Sequence, residues 1–163
     1  MTTPKHQISF APYRPEYLDV IDLLPDEAEI VREGADFLRE LSRRPFDWRA
    51  PHFCGAAFID SALLYIGGYY TTEPGVVQVF IIPDKRALRH PIAFYRTVLL
   101  WRGIVESRIG VSRMETFSLL TGRICKWMRR CGFTCEGETT RYTKSGGRFM
   151  LWSRSKKDGV WGR

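Results

Sequence analysis

The sequence predicts an α/β (α+β) fold: a mixed, mostly antiparallel sheet of six to seven strands with helices on both faces. Three apolar, β-branched and aromatic runs follow one another between residues 54 and 82 with only turn residues between them, the pattern of an antiparallel meander. Beyond residue 84, stretches with helical spacing alternate with strand-like runs, which requires crossovers onto a shared sheet. The 163 residues, 44% of them hydrophobic and 26% charged, have the size and composition of one well-filled domain and exclude a mainly disordered chain.

Ile8–Ala11 reads as an opening strand, broken by Pro12 and Pro15. Pro15 begins a helical stretch through Leu24, with Tyr17, Leu18, Ile21 and Leu24 at helical spacing. Asp26 caps a second helix whose apolar residues include Ile30, Val31, Leu38 and Leu41, and Gly34 weakens its middle. Arg43–Pro51, with two prolines, is a loop. Strands follow at Cys54–Ile59, Leu63–Tyr70 and Val76–Ile82, separated by Asp60-Ser61 and by Thr72-Glu73-Pro74-Gly75. Gly67-Gly68 marks a bulge or a close backbone approach.

Pro91 to about Ile109 reads as a long helix stopped by Gly110. Met114–Leu120 is a strand. Thr121–Arg130 is a short basic helix ended by Gly132, and Phe133–Arg141 and Arg148–Ser153 are strands around Lys144-Ser145-Gly146-Gly147. The chain is therefore read as a single domain over residues 1–153 and a basic, flexible tail over residues 154–163 that exposes Trp161.

Twenty-five Lys and Arg against 18 Asp and Glu give a net charge of +7, with the basic excess from Lys85 onward and an acidic stretch at Asp19–Glu40. That asymmetry suits an acidic partner or simple solubility. No run is long and apolar enough for a membrane span, and the N-terminal residues lack the pattern of a secretion signal, so a chain kept inside the cell is expected. Cys54, Cys125, Cys131 and Cys135 are then expected as reduced thiols, and their spacing, like that of His52 and Cys54, does not make a metal site. His6, His52 and His90 accompany no nucleophile-elbow pattern, and no phosphate-loop or dinucleotide fingerprint is present.

Two segments carry a resemblance. Val79-Phe80-Ile81-Ile82-Pro83-Asp84-Lys85-Arg86, leading into a helix, resembles the fourth strand of GCN5-related N-acetyltransferases (GNATs) and its turn into their cofactor loop. Trp127-Met128-Arg129-Arg130-Cys131-Gly132-Phe133 resembles that family's helix ending in Gly-Phe. The element order from Ile8 to Ser153 is similar to the GNAT fold throughout. The resemblance implies that coenzyme A, where bound, meets Phe80 and Ile82 on the strand and Arg86, Arg89 and His90 in the loop.

The family's loop has the form Arg/Gln-x-x-Gly-x-Gly/Ala, whose small residues let backbone N–H groups close on the pyrophosphate. Here it reads Arg86-Ala87-Leu88-Arg89-His90-Pro91: Arg89 and Pro91 occupy the small positions, and Pro91 has no N–H to donate. Acetyl transfer also needs a base and an acid. The strand Val76–Ile82 offers no carboxylate, leaving Glu73 just before it, and the Tyr that often serves as acid is replaced by Met128. Tyr69, Tyr70 and Tyr95 are expected as packing aromatics. No catalytic residue is assigned.

A narrower resemblance is to the small acetyltransferase-like internal virion and assembly proteins of short-tailed bacteriophages. These share a glycine-poor basic loop, a helix ending in a Gly-small/aromatic step and a closing hairpin, here Phe133–Ser153. It implies a non-catalytic virion structural or assembly protein, a pseudoenzyme without cofactor or metal. Its partners would be other virion proteins near the portal or tail, and its location the bacterial host cytoplasm and then the virion. Phe46, Trp48, Arg49, Trp161 and Arg163 suit protein contacts. The alternative is an acetyl-CoA-dependent N-acetyltransferase that holds pyrophosphate by the Arg86, Arg89 and His90 side chains. A third reading is nucleic-acid binding through Arg123, Lys126, Arg129 and Arg130, with Trp127 beside them.

Overall fold

The computed structural model describes residues 6–42, 52–108, 110–142 and 146–162. The element order is β1 (Ile8–Pro12), α1 (Tyr17–Val20), α2 (Pro25–Ser42), β2 (His52–Ile59), β3 (Ala62–Glu73), β4 (Val76–Pro83), a 3-10 turn (Lys85–Leu88), α3 (Pro91–Glu106), β5 (Arg113–Leu119), α4 (Gly122–Arg130), β6 (Thr134–Tyr142), β7 (Arg148–Lys157) and β8 (Val160–Trp161). Hydrogen-bonded neighbours run β1-β2-β3-β4-β5-β7-β6, and β8 pairs β7. The fold class is the expected one, a mostly antiparallel mixed sheet with helices, with eight strands where six to seven were expected, because β8 pairs β7.

The chain forms two compact units, Met1–Gly68 with Ile81–Thr97, and Tyr69–Phe80 with Val98–Arg163. In the first, β1 lies antiparallel to β2 from Ile8↔Ile59 to Pro12↔Gly55. Pro12, which has no N–H to give a ladder, is tolerated because β1 is an edge strand. Asp60 and Ser61 both have positive φ, 48° and 68°. That is the type I′ geometry whose twist matches a two-residue hairpin, so β2 turns directly into β3. Ala57, Leu64 and Ile66 are fully buried in this unit. Helical spacing alone extends α1 to Leu24, but the helix ends at Val20 because Leu23 pairs with Asp84 as an isolated antiparallel bridge.

In the second unit, the Pro74-Gly75 turn places Gly75 at φ +81°, and a Cβ there would come 3.0 Å from Ser112 Oγ. Gly75 O accepts from the N–H groups of Ser112 and Arg113, which starts the parallel pairing Val76–Gln78 with Arg113–Glu115. β5 then runs antiparallel to β7 over seven residue pairs, from Arg113↔Ser155 to Leu119↔Phe149. Trp152 is fully buried, with its indole N–H donated to Ser118 Oγ at 2.8 Å.

α4 begins at Thr121, whose hydroxyl accepts the N–H of Ile124. It ends at Gly132 (φ +82°), where Phe133 N–H bonds Met128 O and Gly132 N–H bonds Arg129 O. This is the paired 6→1 and 5→2 pattern that calls for glycine after the cap, and it accounts for the Gly-Phe step. A Cβ on Gly132 would also lie 2.8 Å from Arg154 Nη1 and 3.0 Å from Arg102 Nη1.

The expected tail is corrected. β7 continues to Lys157 and β8 folds back on it, with Lys156↔Trp161 in register. Trp161 is half-buried; its indole N–H bonds Glu106 O at 2.9 Å, and Arg154 and Lys156 lie against its ring. The signal missed is local: Asp158-Gly159, both at positive φ, is a two-residue hairpin turn. Phe46, Trp48, Arg49 and Arg163 lie outside the described residues.

Candidate functional site

The loop between β4 and α3 lies wholly in the first unit and is organised by Asp84. Proline then aspartate before a helical turn is an N-cap signature, and the Asp84 carboxylate caps the 3-10 turn through Arg86 N–H at 2.8 Å. The same oxygen accepts Arg86 Nε at 2.8 Å, and the other oxygen accepts Asp22 N–H at 2.9 Å. The backbone continues the clasp: Asp84 N–H donates to Leu64 O and Lys85 N–H to Asp22 O. Lys85 Nζ closes on the Asp22 carboxylate at 2.7 Å. Asp84 is 0% exposed, so a buried carboxylate ties this loop to the connection between α1 and α2.

The clasp decides what the loop can bind. The N–H groups of Lys85, Arg86, Ala87, Arg89 and His90 donate to Asp22 O, Asp84 Oδ1, Asp84 O, Arg86 O and Ala87 O. Pro91 has none. A backbone cradle of the kind that holds the coenzyme A pyrophosphate is therefore not available in these residues. The remaining donors are side chains and the first-turn N–H groups of α3.

Of the residues singled out from sequence, Arg86 is turned onto Asp84, Arg89 is exposed, and His90 is half-buried with its ring edge-on to His6 at 4.9 Å. Phe80 and Ile82 are half-buried on β4. Sequence reasoning did not find the Asp22–Asp84–Arg86 clasp, because Asp22 and Asp84 are 62 residues apart and nothing local shows that the Asp84 carboxylate is buried.

It also did not find that His6 and Asp60 flank His90. His6 Nδ1 is 2.6 Å from Asp60 Oδ2, and Gln7 N–H donates to Asp60 Oδ1 at 2.9 Å. The His6 hydrogen bond, with that of Gln7, holds the Asp60 carboxyl below its usual value. A depressed folded-state value contributes stability above the ordinary carboxylate pKa, and that contribution is lost as pH falls through the lowered one. In His6→Ala, Asp60 should titrate closer to the ordinary carboxylate range, as read by NMR of its side-chain carbon; an unchanged titration would show that His6 does not hold it.

The second unit contains Met128, at which the resemblance implies an acid. Met128 is buried at 5% exposure and has no proton to give. Tyr69 is fully buried between Trp101 (6.1 Å between ring centres) and the Arg108 guanidinium (4.5 Å). Glu73 is exposed at the end of β3. In the first unit, burial pushes the Tyr65 phenol up to about 12, against Phe94. The thiols of Cys54 and Cys131 are buried and pushed up by burial, Cys131 to about 12, which keeps them protonated and unreactive. Among the described residues, no three His, Cys, Asp or Glu side chains converge as metal ligands, and no helix is long and apolar enough to cross a membrane.

No protein-family model matches the chain, and no curated protein matches it. Solved structures do. A probable acetyltransferase is similar over 93% of this chain and 94% of its own, with a TM-score of 0.70 and 12% identity. A spermidine N-acetyltransferase, a chimera from Vibrio cholerae and hSSAT, has a TM-score of 0.71 at 11% identity, covering 90% of this chain and 94% of its own. The ribosomal α-N-protein acetyltransferase RimL in complex with coenzyme A has a TM-score of 0.66 at 11% identity, over 91% and 93%. At such identities the likeness establishes the GNAT fold and nothing finer.

Proposed function

We propose that this GNAT-fold chain is a non-catalytic protein, working by contact with other macromolecules and not by acetyl transfer, and that its setting is the assembly of a bacteriophage virion. The observation that carries the reading is the Asp84 clasp. Together with the turn's own hydrogen bonds it engages the N–H groups of Lys85, Arg86, Ala87, Arg89 and His90, and it draws Arg86 Nε onto Asp84, at the place where the fold's enzymes bind their cofactor. Met128 at the acid position and the lack of a carboxylate on β4 agree with it. The virion setting rests on the resemblance of the basic loop, the Gly-Phe step and the closing hairpin to phage internal virion proteins. It makes other virion proteins, near the portal or tail, the expected partners.

One observation favours an acetyl-CoA-dependent N-acetyltransferase instead: Arg89 is exposed beside His90 at the start of α3, where side chains are able to receive a pyrophosphate. Isothermal titration with acetyl-CoA at moderate salt, paired with a polyphosphate control, separates the two. The expected result is no saturable binding beyond what polyphosphate mimics. Saturable micromolar binding that polyphosphate does not reproduce, weakened by Arg86→Ala and Arg89→Ala, would overturn the proposal. The setting is tested by looking for the chain at a defined copy number in purified particles.

A further inference from the structure

The basic excess is not shared between the two units. The second carries 14 Lys and Arg against 6 Asp and Glu, a net +8, while the first is close to neutral at −1. Within the second unit most carboxylates are already engaged. Glu106 is held by Arg102 and Arg154, Glu115 and Glu136 by Arg113, and Glu138 by Arg148. None of these cations lies on α4.

α4 itself has Arg123, Lys126, Arg129 and Arg130 and no acidic residue. Arg123, Lys126 and Arg129 fall within an arc of about 120° at helical spacing. All three are exposed, and Met128, on the other side, is buried. Among the described residues no ion pair engages these three cations. Trp127, half-buried, borders the arc next to Arg123 and Arg130. From Arg123 to Arg130 the helix rises about 10 Å, over which one DNA strand presents about three phosphates.

We infer that the outer face of α4 is a sequence-independent binding surface for the phosphate backbone of nucleic acid. Several cations concentrated on one short, acid-free helix match a polyanion of regular charge spacing better than an acidic protein surface, where charge is sparse and interleaved. Like-signed charge over the whole second unit attracts such a polymer at longer range. This inference is independent of whether the β4–α3 loop binds acetyl-CoA.

The test is fluorescence anisotropy of labelled 20-base-pair duplex DNA of two unrelated sequences, titrated with the full chain at several salt concentrations. The wild type is expected to bind both alike, with affinity falling steeply with salt. Combining Arg123→Gln, Lys126→Gln and Arg129→Gln should flatten the slope of log affinity against log salt by about 2.7, three contacts at about 0.9 each. A control combining Arg14→Gln, Arg32→Gln and Arg96→Gln removes the same charge from exposed residues of the first unit and should leave the slope nearly unchanged. Unaltered melting temperatures establish that both variants fold; if the triple α4 variant does not, Lys126→Gln alone should still flatten the slope by about 0.9. No salt-dependent binding by the wild type overturns the inference, as does equal flattening by both triples, which would mean net charge alone. Retention on polyglutamate without DNA binding would overturn it in favour of an acidic protein partner.

Discussion

Glu106→Ala should destabilise the chain by about 3–5 kcal/mol, the cost of stripping a buried ion pair of one partner. Glu106 Oε1 lies 2.6 Å from Arg154 Nε and 3.1 Å from Arg102 Nε, and Arg154 is only 7% exposed. The two arginines have second tasks. Arg102 Nη1 donates to Cys131 O at 2.7 Å and Arg154 Nη1 to Gly132 O at 3.2 Å, so they satisfy carbonyls at the C-terminal end of α4. Arg154 Nη2 also reaches Gly162 O. One carboxylate thus keeps two cations in place that join α3, β7, the end of α4 and the chain's last residues. In thermal melts the alanine variant should lose roughly 10 °C or more. Glu106→Gln, which keeps shape but not charge, should fall between it and the wild type. A melt within a degree of wild type for the alanine variant would mean that the carboxylate does not organise the two guanidinium groups.

Asp84→Ala should cost a similar amount, about 3–5 kcal/mol, by a different route. It orphans two backbone donors, Asp22 N–H and Arg86 N–H, at about 1–3 kcal/mol each, and removes the partner of Arg86 Nε. The effect should be local as well as global. The loop contains Lys85, Arg86 and Arg89, all sites for trypsin, and with the clasp released they should be cut far faster than in the wild type under native conditions. Asp84→Asn retains one acceptor oxygen and should be cut at an intermediate rate. Wild-type stability together with wild-type proteolysis in Asp84→Ala would remove the clasp as the organiser of the loop, and with it the main support for the non-catalytic reading.

Much of the fold was legible because its signals are local. Turn residues at Asp60-Ser61 and Thr72-Glu73-Pro74-Gly75 separate apolar runs, the helical spacing of α3 is regular, and Gly132 follows a basic amphipathic helix. Each is a preference of a few neighbouring residues, and the tertiary structure agrees with them. One error falls where a distant partner overrides a local preference, and the other where a local turn signal, Asp158-Gly159, was missed. α1 stops at Val20 because Leu23 pairs with Asp84, and the expected tail is a strand because β7 continues into β8 and Trp161 is received by Glu106 O.

The candidate site divides in the same way. Sequence alone determined that Arg89 and Pro91 stand where the resemblance implies small residues, that Pro91 has no N–H, and that Met128 stands where the resemblance implies a proton donor. Those are properties of side chains and of proline chemistry, independent of how the chain folds. Only the tertiary structure decided that Arg86, a plausible phosphate ligand by type and position, is turned inward onto Asp84, and that His90 meets His6 beside Asp60. The physical reason is that a charged group takes the partner the fold brings nearest. Asp22 and Asp84 are 62 residues apart and His6 and Asp60 are 54 apart, distances at which a partner leaves no pattern in the chain, while Arg86 turns to Asp84, two residues away, because the fold buries that carboxylate and an unpaired buried charge is costly.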